Sequence, residues 1–409
     1  MHMKIIKRPD YLNFLIRSKD RQIIKVASGI RRCGKSTLFD MYREWLLDNG
    51  VAPNQIISIN FEDIEYGHLT DYRPLYDHIK SLLSPDRMNY VFLDEIQNVA
   101  EYEKAVDSLF IKKNVDLYIT GSNAYLMSGD LATLLTGRYI EMRMLPLSFA
   151  EYCEGLKIYA PDKPMTKMEK YALYVNDSSM PYTLQLRGQH KDIREYLEGL
   201  YNSILLKDIV KRLRISDVMM LESVAKFVFD NIGSLLSTSK IARTMTSSGR
   251  KIDQKTVEKY LKGLTESLMA YQANRYSIKA KQHLATLEKY YVADIGFRRF
   301  LIGAGRADQC HMLENIVYLE LLRRGNEVYV GHLPDGEVDF VAQNGDDISY
   351  YQVAATVLDG NILRRELGPL ERIPDHNPKT LLTLDEIGAG TSHNGIRQIN
   401  ALDWLLNIE

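Results

Sequence analysis

The octapeptide Gly29-Ile30-Arg31-Arg32-Cys33-Gly34-Lys35-Ser36 has the spacing of a loop that wraps a phosphate. Gly29 and Gly34 permit backbone angles that side chains resist, so successive N–H groups can turn inward around an anion. Lys35 places an ammonium near the β- and γ-phosphates, and the Ser36 hydroxyl is suited to ligate Mg2+. Ile30, Arg31, Arg32, Cys33 and Thr37 complete the stretch expected to touch nucleotide. Further along, an apolar run from Asn89 ends in two adjacent carboxylates, Asp94 and Glu95. Mg2+ keeps several waters and takes one or two protein oxygens, which suits Asp94 at a strand end. Glu95 fits the base that orients and polarises the attacking water. A helix cap would account for one carboxylate, whereas hydrolysis uses the second. GTP is disfavoured as substrate, because no Asn-Lys-x-Asp guanine-reading motif occurs.

A third apolar run, from Val115, ends in Thr120-Gly121-Ser122-Asn123. Ser122 or Asn123 could touch the γ-phosphate or the water as a sensor, and Asn123 is taken as the catalytic candidate. Turn chemistry explains the same composition. Arg138 is a candidate arginine finger, with a solvated arginine as the equal alternative. Cys33 lies inside the loop at an unspecified position and reads as a small filler. With Cys153 and Cys310 it forms neither metal spacing nor a disulfide framework.

These groups need a scaffold that brings strand ends together. Gln22–Ala27 reads as a buried strand and Ser36–Leu47 as a helix aimed N-terminus first at the anion. In an open parallel sheet, ligands sit outside the carboxyl ends of the strands. Asn60-Phe61-Glu62-Asp63, after a strand over Gln55–Ile59, is expected on the same rim. The alternation of short strands and helices over residues 1–155 predicts a doubly wound α/β domain. Pro161 and Pro164 mark a boundary. Residues 156–304 read as helical and contain a helix-turn-helix, Ser237–Met245 and Asp253–Leu264, with Asp253 as N-cap and a wing beginning near Met269. Lys255, Lys259 and Lys262 give the second helix a basic face, and Gln254 and Lys255 are the candidates for base contacts. A solvated face and a protein-binding module are the competing readings.

Residues 305–409 suggest a small α/β domain like the restriction-endonuclease core: a helix with Glu314, a strand with Glu337 and Asp339, then a strand with Gln352 and Ala354. That chemistry requires an Asp, an Asp/Glu and a Lys two positions later to hold metal and activate water. Gln352 and Ala354 stand where the second acid and the lysine belong, so the expectation is a nuclease-like fold without nuclease activity. Arg364-Arg365-Glu366 reads as a solvated helix face.

The loop, the Phe92-Leu-Asp-Glu-Ile-Gln run, the Thr120–Asn123 tip and Leu134-Leu-Thr-Gly-Arg138 followed by Leu145-Pro-Leu-Ser-Phe-Ala-Glu-Tyr152 together resemble the prokaryotic AAA-type ATPases with a C-terminal domain of uncharacterised function. Looser motifs extend the resemblance over nearly the whole chain: Thr256–Leu261, Lys289–Gly296 and Glu337–Phe340. It implies ATP binding and hydrolysis with Mg2+ on an AAA+-like core, and supplies no substrate.

At 409 residues, roughly two or three domains are expected. A hydrophobic fraction of 45% is ample for ordinary cores. A net charge of −1 argues against a protein that coats nucleic acid along its whole surface. No apolar run reaches the ~18 residues of a spanning helix, and the chain opens without a secretory segment, so a cytoplasmic protein is expected. Two functions compete: an ATP-hydrolysing switch, alone or as a homo-oligomer, whose C-terminal modules bind a protein or DNA partner, and an ATP-driven nucleic-acid enzyme with an active nuclease.

Overall fold

Three strands with every residue buried form the centre of the first unit, which is what a parallel sheet covered on both faces requires. The computed structural model describes residues 5–124, 135–161, 163–303 and 309–408. The chain divides into two compact units, 1–146 with 266–268, and 147–265 with 269–409.

The first unit runs α1 (Pro9–Arg17), β1 (Ile24–Ser28), α2 (Lys35–Asp48), β2 (Ile56–Asn60), α3 (Tyr72–Leu82), β3 (Asn89–Asp94), α4 (Tyr102–Phe110), β4 (Val115–Gly121) and β5 (Tyr139–Arg143). The sheet order is β2-β3-β4-β1-β5 and every pairing is parallel. One face packs Val91, Leu93, Leu117 and Ile119 against Leu75 and Ile79 of α3 and Val106 and Leu109 of α4. Opposite, Phe39 and Tyr42 of α2 meet Phe92 and Tyr118, whose rings stack at 4.7 Å. At the amino end of the sheet, Lys25 and Asp116 form a fully buried ion pair, which Tyr118 joins by donating to Asp116 at 2.7 Å. The parallel order brings the carboxyl ends of β1, β3 and β4 to one edge, where the candidate site lies.

The second unit begins with α5 (Phe149–Tyr159), α6 (Lys167–Asp177) and α7 (His190–Ser203), which continues as a π-helical segment, Ile204–Lys211. The helices α5 and α6 start on reciprocal caps, Ser148 with Glu151 and Thr166 with Glu169. There follow α8 (Val218–Asp230), β6 (Leu235–Leu236), α9 (Thr238–Ser247), α10 (Gln254–Glu266), β7 (Ala270–Ser277), β8 (Gln282–Val292) and α11 (Ile295–Ile302). The chain ends with α12 (Gln309–Arg323), β9 (Glu327–Leu333), β10 (Gly336–Asn344), β11 (Asp347–Ala354), α13 (Gly360–Glu371), β12 (Lys379–Thr383), β13 (Ser392–His393), β14 (Ile396–Asn400) and α14 (Ala401–Leu406).

The expected boundary at 155 falls inside α5, and the one at 304–305 lies outside the described residues, as do Asp162 and Leu134. The helical region and the C-terminal α/β region share one nine-stranded sheet, ordered β13-β14-β12-β11-β10-β9-β7-β8-β6. The join is made where Arg275–Ser277 of β7 pair in parallel with Val330–His332 of β9. An open edge of the β7–β8 hairpin would leave unpaired N–H and C=O groups, and β9 satisfies them. Among the described residues no helix is long and apolar enough to cross a membrane.

Candidate functional site

The loop between β1 and α2 cannot be built with other residues at its first glycine. A Cβ on Gly29 would lie 2.3 Å from the Met144 carbonyl oxygen and 2.8 Å from the Cys33 sulfur. Gly34 sits at φ +108°, in the left-handed region, and starts α2 with no side-chain cap. Gly34 thus offers the first-turn N–H groups of α2 no side-chain acceptor, the condition under which a helix start attracts an anion. Arg8 braces the loop from outside, donating to the Cys33 carbonyl at 3.1 Å and the Pro146 carbonyl at 3.2 Å. Burial pushes the Cys33 thiol up, away from the reactive thiolate.

Lys35 lies buried at the carboxyl edge. Its ammonium donates to the Gly29 carbonyl at 3.0 Å and the Ile30 carbonyl at 3.4 Å, and pairs with Glu95 Oε1 at 3.3 Å. Burial opposes charge on both partners, but their mutual attraction prevails. The lysine is raised, and the Glu95 carboxyl is held below its ordinary value with help from Gln97, Arg31 and Ser122. Glu95 itself sits at φ +55°, a strained region for a side-chain-bearing residue, where β3 gives way to the next turn.

Asp94 has the opposite balance. Burial raises its carboxyl although Ser36 and Thr120 both hydrogen-bond to it. Thr120 serves both acids: its hydroxyl donates to Asp94 and accepts from the Glu95 N–H at 2.9 Å. Gln97 donates to Glu95 at 2.5 Å and to Ser122 Oγ at 3.2 Å, while its own carbonyl oxygen is buried without a hydrogen-bond partner. A hydroxyl–carboxylate pair (Ser36 and Asp94) and an uncapped helix start fit a hydrated Mg2+ with a polyphosphate. Among the described residues no trio of His, Cys, Asp and Glu is arranged to hold a metal ion by itself.

Thus Gly29, Gly34, Lys35, Ser36, Asp94 and Glu95 gather at one edge. Ile30 is buried in the loop, Thr37 follows Ser36 in the first turn of α2, and Arg32 takes φ +67°. Arg31 pairs with Glu62 at 2.6 Å, so the segment after β2 does reach the rim. Asn123 is buried just beyond β4, and Ser122 is the one of the two tied to Glu95 through Gln97. Arg138 is not brought to this edge. It precedes β5, whose Tyr139 pairs with Ile24 at the start of β1, and its guanidinium binds Asp107 beside the Phe110 ring. The parallel register puts it at the opposite end of the sheet from the Gly29–Ser36 loop. Thr120, Gln97 and Arg8 were missed by sequence reasoning. A buried Thr in a strand and a Gln after two acids carry no spacing signal, and Arg8 reaches its partners only through the tertiary fold.

The second unit gathers an ionic cluster of its own. Lys289 of β8 is buried and contacts Glu337 at 2.7 Å, Glu314 at 3.0 Å and Asp339 at 3.9 Å. Tyr291 donates to Glu314 at 2.6 Å, Gln352 donates to Glu366 at 2.9 Å, and Asp339 accepts from the Val353 N–H at 2.8 Å. Glu366, expected on a solvated face, is buried by that bond. Burial and then Glu314 push the Asp339 carboxyl well up, while Lys289 is raised because its three carboxylates outweigh burial.

Residues 21–153 match the AAA domain family, and residues 168–308 match a domain of unknown function (DUF8612). An uncharacterized protein of Haemophilus influenzae is 39% identical over 407 residues, covering 99% of this chain and all of that protein. One of Methanocaldococcus jannaschii is 30% identical over 333 residues, 78% of this chain and 71% of its own. Among solved structures, the Walker-type ATPase PABY2304 of Pyrococcus abyssi is similar with TM-score 0.52 and 17% identity, covering 73% of this chain and 96% of that one.

Proposed function

Because the chain belongs to one family with the uncharacterized Haemophilus influenzae protein and its residues 21–153 match the AAA domain, we propose that it binds ATP with Mg2+ and hydrolyses it as a switch for its C-terminal modules. The observation that carries this reading is the Lys35–Glu95 pair, set beside Asp94 at the start of an uncapped helix. The main-chain N–H groups of residues 29–37 hold the phosphates, and Lys35 neutralises the terminal ones. Ser36 and Asp94 hold Mg2+, which when bound screens phosphate charge. Lys35, on exchanging Glu95 for phosphate, leaves the Glu95 carboxylate free to accept a proton from water. Gln97 keeps that carboxylate oriented, and Ser122 and Asn123 mark the γ-phosphate side. Arg138 acts, if as a finger, on the phosphate of a second copy. Phosphate release measured on Glu95→Gln should fall about 10²- to 10⁴-fold with ATP still bound. Turnover at the wild-type rate would remove Glu95 from the role of base.

For the second unit, the proposal is a winged helix over α8–β8 and an endonuclease-like core over α12–β12 that does not cleave. The succession helix, strand, two helices and hairpin, with β8 antiparallel to both β6 and β7, supports the first. The αβββαβ order of the second supports the other. The alternative, an active nuclease, is disfavoured by Lys289, whose ammonium already saturates the acids a metal would use. Plasmid incubated with the protein and Mg2+ or Mn2+ should stay supercoiled. Nicking abolished by Asp339→Ala would establish the nuclease instead.

A further inference from the structure

The segment 218–292 carries most of its lysines at exposed positions. This segment carries twelve lysines and arginines against six carboxylates, a net charge of +6 within a chain whose total is −1. Nine of these twelve cations fall into two groups. Arg250 is tied to Met219 and Ser223, Arg275 to His332, and Lys289 to its carboxylates, so these three serve the fold. Lys240 on α9, Lys251 before α10, Lys255 and Lys259 on α10, and Lys279 and Lys281 at the tip of the β7–β8 hairpin are all exposed. None of these six makes an ion pair among the described residues.

The carboxylates nearby are mostly engaged. Asp253 caps α10 through Thr256, Glu288 accepts from Tyr290 and Asp230 faces Arg298. Glu258 alone interrupts the exposed stripe of α10 that holds Lys255 and Lys259. Unpaired like charges this dense repel one another, and a polyanion with regularly spaced charge relieves that repulsion. An α-helix fits the major groove of B-form DNA, about 12 Å wide, whereas the corresponding groove of duplex RNA is too narrow for it.

We propose that α10 and the β7–β8 hairpin tip form a surface for duplex DNA, with Lys251, Lys255, Lys259, Lys279 and Lys281 on phosphates and Lys240 flanking them. The proposal rests on the winged-helix reading of α8–β8 and not on the ATPase reading. Lysine ammoniums are point charges that position without reading bases, and Gln254 at the start of α10 is the side chain placed to touch a base edge. Binding is therefore tight at low salt and weakly sequence-selective.

The test is fluorescence anisotropy of a labelled DNA duplex of about 30 base pairs with the full chain, without nucleotide, from about 50 to about 200 mM KCl. Wild type should bind with a steep negative slope of log affinity against log salt. Lys255→Glu/Lys259→Glu should lower low-salt affinity by about tenfold or more and flatten the slope by about two. Lys279→Glu/Lys281→Glu should do the same, so an unfolded first variant does not decide the matter. Glu258→Gln should tighten binding, and the charge-matched pair Lys157→Glu/Lys191→Glu, on other helices, should leave it unchanged. No binding at low salt, an unchanged slope in both hairpin and helix variants, or equal affinity for duplex RNA or heparin overturns the proposal. A chain that binds DNA this way yet never binds ATP would overturn the ATPase reading and leave this one standing.

Discussion

Lys35 and Lys289 are buried alike, each 4% exposed, and each faces carboxylates at the edge of a sheet. Their surroundings differ in one respect that matters. Lys35 meets one carboxylate and two loop carbonyls beside helix N–H groups with no side-chain cap, so an incoming anion finds donors ready and a lysine able to change partner. Lys289 meets three carboxylates, of which Glu314 is held by Tyr291 and Asp339 by the Val353 N–H. Its site is closed on itself. Burial of a lysine beside acids is therefore no sign of catalysis. What distinguishes the first site is a helix start whose cap residue, Gly34, supplies no side-chain acceptor.

The comparison breaks most readily at Lys289. Lys289→Met should cost about 3–5 kcal/mol of stability, because Glu314, which it neutralises, stays buried. It should leave ATP affinity untouched, and denaturant melts with a nucleotide titration check both halves. A stable variant would mean that water or a metal ion neutralises the acids just as well. Next comes Thr120→Val, which removes the hydroxyl shared by Asp94 and the Glu95 N–H. A cost of about 1–3 kcal/mol for each polar group stranded predicts turnover down by about tenfold or more, with little loss of ATP affinity. Turnover kinetics at saturating ATP measure this, and an undiminished rate would make Thr120 a packing residue.

The smallest expected effect is one of pH. The Asp339 carboxyl is raised in the folded state, so the fold binds that proton more tightly than the unfolded chain does. Stability then falls as pH rises above the unfolded carboxylate value of about 3.9. Asp339→Asn should accordingly raise the melting temperature at pH 8 and change it little at pH 3. A loss at pH 8 would show that the ionised carboxylate is fully compensated by Lys289.

Much of the first site was legible because its parts are contiguous. The run from Gly29 to Thr37 and the pair Asp94–Glu95 each sit where a strand must end, and a parallel sheet brings such ends together. Arg138 shows the limit of that logic. A motif gives the residue type, but only the register of β5 on β1 says which end of the sheet it occupies. Arg8 reaches Cys33 and Pro146 across long stretches of chain, and Lys289 likewise meets Glu314, Glu337 and Asp339 only through the tertiary fold. The nine-stranded sheet was hidden for the same reason, since a parallel pairing between β7 and β9 leaves no turn to read.

Titration calorimetry with MgATP on wild type, Lys35→Ala and Glu95→Gln tests most directly whether the first site is the one with a partner to gain. Saturable heat is expected for wild type and Glu95→Gln, with affinity about 10- to 100-fold weaker for Lys35→Ala. No heat with wild type, or an affinity indifferent to Lys35, would contradict the account.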